Sequence, residues 1–243
     1  MKIHPPSRNR GFTLIETVIA IGVLAVLLTG FMLVFGPAAA GIRRALNVQE
    51  ADRLAATLEQ ELVTVRDNSG SPTTGFAKAF EWIKNSNTLN DAILIYQYRG
   101  SLSSTRDDQT PTPVPDTNNK LPGKDYVLQT MVRRKSDTAK FKEDLKAVEG
   151  GVYLVICTQL VFNNGQLKPG KAGSIVDPKT GEKAPTADVY PEAVIAFSAD
   201  FFALPTRSAS YFTGGGFDKA FAAAIKNPPS RKPVFTRNLA ARR

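Results

Sequence analysis

Residues 12–42 read FTLIETVIAIGVLAVLLTGFMLVFGPAAAGI, a run of 31 residues with one charged member, Glu16. A bilayer core needs about 20 apolar residues in a helix, so this run is long enough to span. Lys2, Arg8 and Arg10 precede it, and the next charges are Arg43 and Arg44. Basic residues ahead of the span favour a cytoplasmic N-terminus and an exported C-terminal body, an asymmetry that Arg43 and Arg44 weaken. A secretory signal has a shorter apolar region, about 7–15 residues, with a small-residue cleavage site behind it. Here the small residue, Gly11, stands in front. Glu16 is the second anomaly, because a carboxylate deep in a membrane costs on the order of a few kcal/mol without a partner. Thr13-x-x-Glu16 has the spacing of a capping box. That explains the spacing, but not the basic leader, the glycine and the phenylalanine around it.

The stretch Arg10-Gly11-Phe12-Thr13-Leu14-Ile15-Glu16, followed by an unbroken apolar helix, resembles the prepilin signature of type IV pilins and type II secretion pseudopilins. The resemblance covers about 30 residues. It implies cleavage after Gly11 by a prepilin peptidase on the cytoplasmic side, and methylation of the new N-terminus at Phe12. Glu16 becomes the fifth mature residue, which in that family pairs with the N-terminal amine of a neighbouring subunit. The charges agree with this role, since an ammonium and a carboxylate are each expensive in an apolar bundle and offset one another when paired. Gly22, Gly30 and Gly36 permit close helix approach, and Gly36-Pro37 is expected to kink or loosen the helix. Partners implied by the resemblance are the peptidase, other pilin or pseudopilin subunits in a helical filament, and an inner-membrane assembly platform. The implied location is the bacterial inner membrane, single-pass, and then a filament in the periplasm or at the cell surface.

Beyond Arg44 the pattern turns amphipathic. Ala51, Leu54, Ala55, Leu58, Leu62 and Val65 recur at three- and four-residue steps, with Glu50, Asp52, Arg53, Glu59, Gln60 and Glu61 mostly between them. This reads as one helix to about Arg66, ended by Asn68-Ser69-Gly70-Ser71-Pro72. Short helices are predicted over 76–84, 138–148 and 217–225. Strands are predicted over 92–99, 126–133, 151–162 and 192–202, with 151–162 the most apolar and so central. Residues 101–124 and 163–187 read as loops, with Gly214-Gly215-Gly216 a flexible turn. The expected fold is α+β and pilin-like: a long N-terminal helix, membrane-spanning then amphipathic, packed on an antiparallel β-sheet. The expected parts are a cleaved leader 1–11, an assembly helix 12–42, its amphipathic continuation 43–66, an exported domain 67–226 and a basic tail 227–243.

The chain of 243 residues carries a formal charge of +9, at 42% hydrophobic and 22% charged residues. These proportions are those of a folded protein. The charge is uneven. The leader holds Lys2, Arg8 and Arg10 with no acid, and residues 219–243 hold seven basic residues with none, leaving 21 basic against 22 acidic residues between. Nucleic acid is therefore not the expected partner. The alternative, a DNA-binding minor pilin of an uptake machine, would rest on Arg231, Lys232, Arg237, Arg242 and Arg243 around Phe235. The plainer reading of that tail is a solvated terminus, or one that touches acidic partner subunits. A further alternative is a membrane-anchored exported protein that does not polymerise.

No catalytic residue, metal site or cofactor is expected. His4, the one histidine, lies in the leader, so the processed chain lacks a Ser-His-Asp or Cys-His arrangement. Cys157 within VYLVICTQLVF reads as a core residue, and as the sole cysteine it has no intramolecular disulfide partner. Asp107 and Asp108 have no matching cluster in the sequence. Asp177, Glu182 and Asp188 match no calcium motif and read as solvated loop charges. The favoured function is a minor or pseudopilin-type filament subunit for type II-like secretion.

Overall fold

The computed structural model describes residues 13–65, 74–226, 230 and 232–243, and for residues 40, 41, 43–48, 51 and 52 the backbone alone. Two compact units divide the chain, Met1–Glu50 and Ala51–Arg243. Helix α1, Leu14–Val63, runs through both and contains Pro37 without a break in its helical assignment. In the first unit the span Leu14–Ala39 is long and apolar enough to cross a membrane, and none of it is buried against the protein.

The second unit is built around an antiparallel sheet. Its strands are β1 (Ile93–Thr105), β2 (Pro111–Pro113), β3 (Tyr126–Arg134), β4 (Val148–Asn163), β5 (Gln166–Pro169), β6 (Val194–Ala203) and β7 (Phe235–Arg242). Across the sheet the order is β3-β1-β4-β6-β7, β2 pairs the far half of β1, and β5 folds back on the end of β4. The strand expected to be central is central: β4 pairs Ile93–Tyr98 of β1 on one side and Phe197–Ala203 of β6 on the other. Where the β1–β4 register slips, between Tyr96 and Gln97, Gly150 takes φ 76°, a left-handed conformation that costs glycine little.

Strand alternation feeds two cores, one on each face. On the first face Ile93, Ile95, Val155, Cys157, Ile195, Phe197 and Phe201 meet Leu54, Leu58 and Leu62 of α1 and Phe80 and Ile83 of α2 (Gly75–Asn85). Burying each such side chain contributes about 1.5–3 kcal/mol. The amphipathic stripe read from the sequence is therefore real as far as Leu62, but Val65 is exposed and α1 stops at Val63 rather than near Arg66. On the second face Leu94, Tyr96, Tyr98, Leu154 and Ile156 meet α3 (Thr138–Leu145), α4 (Ala209–Thr213) and α5 (Gly216–Ile225). The domain is thus three layers deep, one more than a helix packed on a sheet.

Three segments read as irregular are ordered instead. The 101–124 segment supplies the end of β1 and all of β2. The 163–187 segment supplies β5, joined to β4 by Asn164-Gly165 at φ 51° and 79°, the pair of left-handed residues that a two-residue hairpin turn requires. The tail supplies β7, which pairs β6 from Phe235 to Arg242 and corrects the expectation of a solvated terminus. Phe235 stacks on Phe201 at 4.3 Å, and Ala241 is buried in the first core.

Candidate functional site

The N-terminal end of α1 closes on itself. The Thr13 amide donates to Glu16 Oε2 at 2.9 Å, the Thr13 hydroxyl donates to the same oxygen at 2.8 Å, and the Glu16 amide donates to Thr13 Oγ1 at 3.4 Å. This is the reciprocal capping box that the spacing announced, and it satisfies donors that a helix start leaves open. Glu16 is exposed within its own chain and is the one charge in Leu14–Ala39. Around it, Leu14, Ile15, Val18, Ile19, Leu24, Leu27, Phe31 and Phe35 are more than half exposed, on every side of the helix. A helix apolar all round needs a membrane or a bundle of other helices as its environment. A methyl group added at Gly22, Gly30 or Gly36 would meet nothing within 4 Å, so in the single chain these notches stand open. Gly11 and Phe12 lie outside the described residues.

Two of the tail residues considered for nucleic acid, Arg237 and Arg242, do not share a face. Arg231 lies outside the described residues. Arg237 and Arg242 fall on opposite faces of β7, by the two-residue period of a strand. Arg243 is exposed but tied to the domain, its Nη2 donating to the Ala187 and Tyr190 carbonyls at 2.7 and 3.1 Å, with its guanidinium 4.7 Å from the Phe76 ring. Lys232 is exposed.

Cys157 is fully buried in the first core, and burial pushes its thiol pKa up, so the reactive thiolate is disfavoured. Asp177 closes a turn, its carboxylate accepting from the Lys179 amide at 2.8 Å and the Thr180 hydroxyl at 3.1 Å. Among the described residues no three His, Cys, Asp or Glu side chains converge as a metal site would require. Gly215, at φ 78°, forms the turn between α4 and α5.

One polar cluster was not foreseen. Asp144 on α3 is fully buried, and its carboxylate accepts from Tyr96 Oη at 2.5 Å, from Arg133 Nε at 2.7 Å and from Arg106 Nη2. Arg133 also reaches Asp108 and Asp137, both at 3.0 Å. Burial alone would raise the Asp108 pKa, but hydrogen bonds from Thr110 and Arg133 outweigh it and hold the carboxyl well below its usual range. The sequence did hold a signal, since Asp144 sits between Phe141 and Leu145 on the apolar side of α3. A second unforeseen contact locks the end of α1. Lys78 Nζ donates to the Glu61 and Thr64 carbonyls at 2.6 and 2.7 Å and pairs with Glu61 Oε1 at 2.8 Å, so Glu61 is buried rather than solvated.

A family model described as the prokaryotic N-terminal methylation motif matches residues 6–32. No curated protein and no solved structure matches the chain.

Proposed function

We propose that this chain, which carries the type IV pilin and pseudopilin methylation signature over residues 6–32, is a filament subunit of the pseudopilin kind serving type II-like protein secretion. One observation carries the reading. Gly11 and Phe12 stand just ahead of a 26-residue apolar span, Leu14–Ala39, that carries Glu16 in its first turn and is uncovered by its own protein. On this reading the helix anchors the precursor in the inner membrane with the domain exported. Prepilin peptidase hydrolyses the Gly11–Phe12 bond and methylates the Phe12 amine. Removing the leader removes Lys2, Arg8 and Arg10, whose charge held the site at the cytoplasmic face. The Glu16 carboxylate then has two possible donors: its own Thr13, and the ammonium of a neighbouring Phe12. The second neutralises two charges at once, so packing into the bundle favours the exchange. Assembly is associative, and the chain performs no catalysis of its own.

Cys157 supports the pseudopilin reading, because a C-terminal disulfide loop like that of adhesive pilins is impossible with one cysteine. Co-expression with a prepilin peptidase and an assembly machine tests the proposal. Mass spectrometry is expected to find a methylated N-terminus at Phe12. Glu16→Ala is expected to insert in the membrane normally but to vanish from the sheared filament fraction. Cleavage at another bond, or normal incorporation of that variant, would sink the proposal.

A further inference from the structure

On the sheet face opposite the α1 stripe, α3 and α4 flank a half-open cavity of about 330 Å³. Its floor is aromatic: Phe141 and Phe212 meet edge to face at 4.9 Å, with Leu145 beside them, and all three side chains are buried. Its rim is polar and positive, with Lys135 and Lys142 flanking the hydroxyls of Ser136 and Thr138. No acidic side chain lines it among the described residues. Lys135 is spoken for in part, lying 3.1 Å from Asp218 Oδ1 and 4.6 Å from the centre of the Phe217 ring. Lys142 is exposed and has no ion-pair partner among the described residues.

We propose that this cavity is a binding site for a small carboxylate with an aromatic body, the ring resting on Phe141 and Phe212 and the carboxylate at Lys142. The volume falls in the range of small-ligand pockets, about 300–1,000 Å³. A further ring on the floor extends the edge-to-face arrangement already present. The charge choice follows from the rim, where an anion gains a free ammonium and a cation meets two. All its lining residues lie in the unit Ala51–Arg243, outside the apolar span Leu14–Ala39.

The test is calorimetric titration of 3-phenylpropionate into the full chain in dodecyl maltoside, with micelles alone as the blank. A saturable one-site isotherm is expected with a Kd near ~1 mM or tighter. Lys142→Glu, at an exposed position, is expected to weaken binding by about tenfold or more with an unchanged circular dichroism melt. The uncharged 3-phenylpropanamide is expected to bind correspondingly worse than the acid. Ala209→Phe, which fills the cavity from its exposed wall, is expected to abolish binding with an unchanged circular dichroism melt. Absence of saturable heat would overturn the proposal. So would equal affinity for acid and amide, or undiminished binding by Lys142→Glu.

Discussion

Asp144 holds three partners from three other parts of the chain: Tyr96 on β1, Arg106 in the turn after it, and Arg133 on β3. Removing one member of a buried charge network strands the others in a medium that cannot solvate them. Asp144→Ala is therefore expected to lower unfolding stability by about 3–5 kcal/mol, read from denaturant midpoints. Among the described residues the buried Arg106 Nε and Nη1 atoms have no hydrogen-bond partner, and Nε lies 3.7 Å from Glu143 Oε2. Tyr98, beside this cluster, gives the network a pH signature. Burial pushes its phenol up from 10 to about 12, helped by the Asp144 charge and opposed by Arg106. A raised folded-state value means the phenol's contribution is whole below pH 10 and is lost as pH climbs through about 12. Stability is expected to fall across that window, and Tyr98→Phe to flatten the fall, as followed by urea unfolding at stepped pH. Asp144 could be suspected from its place on the apolar side of α3. Its partners could not, because they lie 11 to 48 residues away in sequence.

The elements most legible in the sequence are those whose own pattern matches their burial. The helix α1 stripe, the apolar β4 and the strand read over 192–202 each bury most of their apolar residues. The missed elements are edges and hairpins. Strand β7, with the sequence FTRNLAAR, holds few strong β-formers, and its place comes from the open side of β6 and the ring of Phe201. Its outer edge is partly covered, since the Ala240 amide reaches Glu59 Oε1 at 3.5 Å. Phe235→Ala removes the stack on Phe201 and is expected to cost about 1–3 kcal/mol. Hydrogen exchange is expected to quicken over 235–242 while β4 amides stay protected, and uniform quickening would count against an edge role. Residues 166–169 were missed for the opposite reason. Asn164-Gly165 is a strong hairpin signal, but the Gly, Pro and Lys residues after it read as loop.

Across the whole molecule, the charge of +9 separates into a basic N-terminal stretch over residues 1–10, a near-neutral body and a basic C-terminal stretch. The sequence alone determined the N-terminal chemistry: the Gly11-Phe12 pair, the lone Glu16 and the apolar span. Those features are local, and what they do depends on contiguous residues meeting a membrane, a peptidase or a neighbouring helix. Their match to the methylation motif needed no tertiary contact. Only the tertiary structure decided the fate of the C-terminal basic residues, dividing Arg237 from Arg242 across a strand and folding Arg243 onto Phe76. It also decided the second helical layer, the Asp144 network and the cavity above Phe141 and Phe212. These arise where distant segments converge, and a linear pattern records the polarity of each segment but not its partner.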